Sequence, residues 1–231
     1  VSEIPEAGDF KTLDLGEAPL LILRGDDGVV RVFNNSCPHR GTQLATRARG
    51  NAPDITCPYH RWNFSNRGEL VAAPGIERFP KDFRKQDYGM RELQSQIRHG
   101  LVFATCSAET DSLEIFLGEG DGYLFKLLGE GADLCLLGYQ KTVFATNWKE
   151  YGDNEGYHAP LLHRAFSLLK WQGGKGTQCV TARGHKLIEA ELGDTQNDGF
   201  LDDNSLVEFR DENAPKRSIV VNLFPMTVLT R

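Results

Sequence analysis

Sulfur and imidazole are scarce in this chain: 231 residues carry two methionines, five cysteines and six histidines. Long apolar runs are also missing. The longest, such as Ala18 to Leu23, are far too short to span a bilayer, which excludes a membrane-spanning helix. No charged-then-apolar leader opens the chain, so no signal peptide is expected. Positive charge is not in excess either. The net charge of -6 argues against nucleic acid or an acidic membrane surface as partner. Repeats and low-complexity segments are absent. Five cysteines is an odd count, which speaks against a framework of disulfides. Cys106, Cys135 and Cys179 lie far apart among apolar or small residues and are expected to be buried free thiols. Such usage suits a cytoplasmic location.

What remains is ordinary for a globular protein, with 40% hydrophobic and 25% charged residues. From Phe10 to about Thr105 the pattern is strand-like. Leu20–Arg24 and Val29–Phe33 flank Gly25-Asp26-Asp27-Gly28, which predicts a hairpin. Leu101–Thr105 predicts another strand. The frequent Gly and Pro between strands point to a small all-β domain with long loops. The character changes near residue 107, and a boundary is expected between about 107 and 120. Asp111–Leu117 has helical periodicity, Cys135–Thr146 reads as a strand, and Asn147–Leu169 reads as helical with a break at Pro160. Leu206–Phe209 and Ser218–Leu223 read as strands. The chain opens on Val1 and closes on Thr230-Arg231 directly after an apolar run, which suggests a fragment of a longer chain.

Against this sparse background, four of the eleven Cys and His side chains crowd together. They form Cys37-Pro38-His39-Arg40-Gly41 and Cys57-Pro58-Tyr59-His60-Arg61-Trp62, a C-x-H and a C-x-x-H segment separated by seventeen residues. Each segment offers one thiolate and one imidazole. Thiolates hold iron in iron–sulfur clusters, and replacing two of them by neutral imidazole raises the potential. The prolines and Gly41 suit tight loops. Structural zinc is the rival reading, although zinc fingers usually pair like residues within a knuckle and here each knuckle is mixed.

A second constellation runs from Asn147 to Phe166. It contains His158 and His163, with Glu155 three residues before the first. On a helix Glu155 and His158 share a side, but five residues rotate His163 away by about 140°. Pro160 suits the first turn of a new helix, so a break there would let both imidazoles converge. Two histidines and one carboxylate are the usual protein ligands of non-haem Fe(II) oxygenases.

Together the two segments resemble the Rieske non-haem iron oxygenases, in particular the alpha (large) subunits of aromatic ring-hydroxylating dioxygenases. The resemblance covers nearly the whole chain. It rests on the Cys-His pairs, on Trp62 and Phe64 after the second knuckle, and on Asn147-Trp148-Lys149, Tyr157-His158 and His163. Rieske proteins of respiratory complexes add a disulfide between the loops. Thr42 and Tyr59 stand at those positions here, so the match is to the oxygenase or ferredoxin branch.

The resemblance implies an α+β chain. An all-β Rieske domain (1–110) would be followed by part of a catalytic domain of helix-grip type (118–231), an antiparallel sheet with helices. It implies that Cys37 and Cys57 bind one iron of a 2Fe-2S cluster, and His39 and His60 the other. It implies that His158 and His163 bind a mononuclear Fe(II). Glu155 falls where the family has an acidic residue bridging a neighbouring subunit's cluster histidine to an iron-ligand histidine. The rival reading is a solvated carboxylate. A third ligand, Asp or Glu, is expected beyond residue 231. Electrons would come from NAD(P)H through a reductase and, in some systems, a ferredoxin. They would leave through His39 or His60 toward the next subunit's iron, in a homotrimer or an alpha3beta3 assembly. Dioxygen would then hydroxylate or demethylate a small organic substrate, as in aromatic hydrocarbon catabolism. Arg40 and Arg61 follow the ligand histidines, and their charge reads either as tuning the cluster or as plain solvation. A functional alternative is a Rieske-type electron carrier with a non-catalytic appendage.

Overall fold

In the computed structural model, residues 1–147, 149–150, 175–191 and 217–231 are described. The chain divides into two compact units, Val1–Thr110 with Leu134–Leu137, and Asp111–Asp133 with Gly138–Arg231.

The first unit is built from antiparallel strands. A six-stranded sheet runs in the order β4-β1-β2-β3-β8-β9, made of β1 (Asp9–Leu15), β2 (Ala18–Arg24), β3 (Val30–Asn34), β4 (Arg49–Asn51), β8 (Glu92–Arg98) and β9 (Leu101–Thr105). A smaller sheet joins β5 (Asp54–Thr56), β6 (Asn63–Ser65) and β7 (Leu70–Ala72). The continuous apolar run of β2 has a direct cause: both its faces are buried. Leu21 and Leu23 point into a core with Phe10, Phe33, Trp62 and Phe64. Leu20 and Ile22 point the other way, against Ile4, Val30, Val32 and Leu93. The expected β2–β3 hairpin forms. Its turn is pinned by Asp27, which accepts from the Val29 N–H and from Arg31. The Arg31 guanidinium holds the Asp27 carboxyl well below the usual carboxylate range.

The second unit packs two short helices with a four-stranded antiparallel sheet. They are α1 (Leu113–Leu117) and α2 (Gly120–Leu127), with β10 (Gly176–Val180), β11 (Lys186–Glu191), β12 (Arg217–Leu223) and β13 (Thr227–Thr230) in chain order. The Ser112 hydroxyl caps α1 by accepting from the Ile115 N–H. Leu117, Leu124 and Leu127 of the helices and Leu187, Ile219, Val221 and Leu223 of the sheet are buried. The α+β expectation therefore holds: an all-β first unit, then an antiparallel sheet with helices.

Three expectations need correction or placement. Cys135–Thr146 forms no strand; Leu137 and Val143 are almost fully exposed, at 97% and 84%. A β-branched apolar run has only the capacity for a strand, and none of its described residues has a ladder partner here. The three outlying cysteines are free, but not buried. Cys106 and Cys135 are exposed, and Cys179, on edge strand β10, is half-buried. The predicted helix over 147–169 and strand over 206–209 fall almost wholly outside the described residues, as do Glu155, His158 and His163.

Candidate metal centre in the first unit

Two loops carry the first constellation. One leaves the six-stranded sheet after β3 and the other is the tip of the β5–β6 hairpin. Both close alike. The N–H of Cys37 donates to the Thr42 carbonyl, and that of Cys57 to the Trp62 carbonyl, each at 2.8 Å. The Gly41 N–H returns to the Cys37 carbonyl at 2.8 Å, and the Arg61 N–H to the Cys57 carbonyl at 3.1 Å. Each six-residue loop directs a cysteine inward and a histidine outward. Cys37 and Cys57 are 2% and 1% exposed, within the core. His39 and His60 are half-buried, with ring centroids 4.7 Å apart.

The first loop is anchored by a side chain that its sequence does not advertise. Asn35, 1% exposed, donates from Nδ2 to the Ala45 carbonyl at 2.7 Å and accepts the Ala45 N–H at 2.9 Å. This bidentate clamp ties the two ends of the loop. The signal available in the sequence was only the pair Asn34-Asn35 ahead of Cys37.

Behind the histidines lies an aromatic wall. The His39 ring stacks on Trp62 at 4.8 Å and 7°. Trp62 in turn meets Phe79, Phe83 and Tyr88 at 6.0–6.2 Å. Phe79, outside both cluster loops, closes this wall. Tyr59, 59% exposed, lies with its ring 3.7 Å from that of His60.

The electrostatics of Cys37 and His39 follow first from their burial. Burial pushes the Cys37 thiol up, and the adjacent Cys57 adds to this. The backbone N–H groups of His39 and Arg40 oppose it by donating toward the sulfur, the arrangement that steadies a thiolate once a metal has replaced the proton. Burial, then the positive charge of His60 and Arg40, lowers the pKa of His39. A neutral imidazole is the ligating form.

Among the described residues, no three His, Cys, Asp or Glu side chains gather tightly enough for a single ion. The four donors instead form a buried sulfur pair and an outer imidazole pair. That division suits a cluster with two inequivalent irons better than one tetrahedral zinc.

Known proteins lead to the same place. The family model for the Rieske [2Fe-2S] domain matches residues 1–87. The chain is 36% identical over 180 residues to the large oxygenase component of salicylate 5-hydroxylase from Ralstonia sp, an overlap of 73% of this chain and 43% of that protein. It is 39% identical over 232 aligned positions to 2-aminobenzenesulfonate 2,3-dioxygenase subunit alpha from Alcaligenes sp, covering 97% and 58%. Residues 1–87 thus match a Rieske [2Fe-2S] domain, and the chain is similar over most of its length to Rieske oxygenase alpha subunits. Its fold agrees: naphthalene 1,2-dioxygenase with indole in its active site superposes with a TM-score of 0.80 at 25% identity, over 99% of this chain and 59% of that one. The chain thus spans about half the length of the Rieske oxygenases it matches. Among the described residues no helix is long and apolar enough to cross a membrane.

Proposed function

We propose that this Rieske chain belongs to an oxygenase component that receives electrons from a reductase or ferredoxin and uses dioxygen to hydroxylate an aromatic substrate. The observation that carries the reading is the pair of identically closed loops, with sulfur donors inside and imidazoles at the rim. In this reading Cys37, His39, Cys57 and His60 hold the 2Fe-2S cluster, and His158 and His163 hold the mononuclear iron. When bound, the cluster stores one electron at a time and the ferrous iron provides for dioxygen activation.

The chain's own residues do the rest. The two loops fix the donors before metal arrives, so little reorganisation accompanies a change of charge. Trp62 and its aromatic neighbours keep water from the inner side. His39 and His60, half-exposed, give the shortest protein path from cluster to surface. Glu155 serves as the bridge to a neighbouring subunit's cluster histidine, which requires a homotrimer or an alpha3beta3 assembly. The domain division follows: residues 1–110 carry the cluster, and 118–231 form part of the catalytic domain.

The relatives named for salicylate and 2-aminobenzenesulfonate suggest the substrate class, a benzene ring bearing an anionic substituent. The test uses the full-length gene product with a reductase, NADH and a panel holding salicylate, 2-aminobenzenesulfonate and a quaternary amine. A hydroxylated ring product is expected from the anionic aromatics. His158→Ala should abolish it and leave the visible cluster spectrum intact. Normal product formation by that variant would sink the oxygenase reading. Turnover of the quaternary amine alone would sink the substrate class.

A further inference from the structure

The face of the six-stranded sheet turned away from Cys37 and Cys57 carries polar side chains at one end. Leu20 pairs with Asn34 across β2 and β3. The Asn34 N–H donates to the Arg91 carbonyl at 2.9 Å, in the register that sets Val32 opposite Leu93. The register of β8 and β9 sets Gln94 opposite Thr105, and one step further it sets Leu93 opposite Cys106. Cross-strand partners share a face, as do residues two apart on one strand. Leu20, Asn34, Arg91, Leu93 and Cys106 therefore lie on one face. It is the face of Ile22 and Val32, opposite that of Leu21 and Phe33, which lie in the core with the two cysteines.

These five residues line a cavity of about 400 Å³, a size that suits a small molecule. Its floor is apolar, because Leu20 and Leu93 belong to the buried cluster on this face. Asn34 interrupts that floor. Its Oδ1 is buried and has no hydrogen-bond partner. A strand that had only to pack would carry an apolar side chain here, since a buried acceptor without a donor is costly. The terminal torsion of asparagine is soft, so rotation about it turns Oδ1 toward the cavity. Arg91 is exposed, and no carboxylate among the described residues pairs with it. Glu92, the acid in the lining, is 4.0 Å from Arg31. An unpaired guanidinium, an orphaned acceptor and an apolar floor thus converge on one space.

We propose that this cavity binds a small aromatic carboxylate that also carries an N–H or O–H donor. The Arg91 guanidinium takes the carboxylate. The two leucines take the ring, and Asn34 Oδ1 takes the donor. The lining includes none of the residues assigned to the cluster or to the mononuclear iron, so the site does not depend on the reaction proposed above.

The experiment uses the full-length, cluster-loaded gene product. The probe is 2-aminobenzoate, whose amino group keeps one proton free after bonding to its own carboxylate. Benzoate lacks the donor and aniline lacks the anion. Cys106, exposed and in the lining, is the reporter. Its alkylation by N-ethylmaleimide is timed by peptide mass spectrometry, with Cys135, exposed and outside the lining, as internal control. At about tenfold its dissociation constant, 2-aminobenzoate should slow alkylation of Cys106 roughly tenfold and leave Cys135 unchanged. Benzoate should need about five- to tenfold more for the same protection, and aniline should give none. Arg91→Gln should weaken protection about tenfold or more. Asn34→Leu should erase the preference for 2-aminobenzoate over benzoate. It should not lower the melting temperature, because an orphaned acceptor gives way to a side chain that packs. Selectivity lost without loss of fold separates a binding residue from a structural one.

Equal protection in wild type, Arg91→Gln and Asn34→Leu overturns the proposal, because the ligand then acts from another site. So does the absence of protection in the wild type at the solubility limit of 2-aminobenzoate. A Cys106 that resists alkylation without any ligand overturns it as well, because another part of the full-length protein or another subunit then covers this face.

Discussion

The imidazole of His39 lies flat on the indole of Trp62, 4.8 Å between centroids and 7° from parallel. Trp62 is 4% exposed and braced by Phe79, Phe83 and Tyr88, so its own orientation is fixed. The stack sets the plane of a proposed ligand ring while excluding water from one face. Trp62→Leu should destabilise the first unit by about 2–4 kcal/mol through lost packing. It should also shift the g-values of the reduced cluster, because the His39 ring is freed to rotate. Trp62→Phe keeps a flat surface and should fall between the two. An unaltered electron paramagnetic resonance spectrum in Trp62→Leu would show that the stack does not position His39.

Asn35 closes the first loop from beneath, with both its amide atoms on Ala45. Replacing it by the near-isosteric Leu leaves the Ala45 N–H and carbonyl buried without partners. That costs about 2–3 kcal/mol. The larger effect is local: the loop bearing Cys37 and His39 loses its tether, so a chelator should bleach the visible band faster than in wild type. Asn35→Asp, which retains the acceptor, should lie between. If Asn35→Leu held its cluster as long as wild type, the clamp would be structural only.

Why were the four candidate ligands legible in the sequence when Asn35 and the aromatic wall were not? The candidates follow from donor chemistry compressed into two short loops, where scarcity of Cys and His makes coincidence improbable. Asn35 matters because of a partner ten residues away, and Phe79, Phe83 and Tyr88 because loop packing brings them onto Trp62. No local pattern encodes either. Strands were legible where both faces or alternate faces are buried, as in β2 and β12. The run over 135–146 carries the same β-forming residues without a ladder partner among the described residues, so propensity alone misled. No element was expected over the residues of α2. Gly120 and Gly122 are poor helix formers, yet burial of Leu124 and Leu127 holds the helix.

His185 is the one histidine buried completely among the described residues, and it is not near the cluster residues in sequence. Its Nδ1 accepts the Phe224 N–H at 3.1 Å, so the ring proton sits on Nε2 and donates to the Phe116 carbonyl at 2.6 Å. One side chain thereby joins the end of α1 to the β12–β13 turn. His185→Phe fills the space and removes both bonds, leaving the Phe224 N–H and the Phe116 carbonyl, both partly buried, without their imidazole partner. A loss of about 2–4 kcal/mol in chemical denaturation is expected, with the cluster spectrum unaffected. His185→Gln, able to keep one bond, should recover part of it. A loss below about 0.5 kcal/mol for His185→Phe would mean that water takes over both partners.

Glu189 on β11 joins α2 to the sheet, accepting from Lys126 at 3.2 Å and from Arg217 at 2.8 Å. Burial alone would raise its pKa, but the two cations outweigh burial and lower it from 4.5. A carboxylate whose folded pKa lies below its unfolded value stabilises the fold above the unfolded value. That contribution is lost as pH falls through the folded one. Wild type should therefore be more stable than Glu189→Gln at neutral pH, and the two melting curves should converge as pH drops below 4.5. Lys126 and Arg217 are 40% and 47% exposed at the side chain, so solvent screening keeps the difference to about 1 kcal/mol or less. Added salt should shrink it further. Parallel curves that never converge would assign the effect of Glu189→Gln to packing rather than to charge.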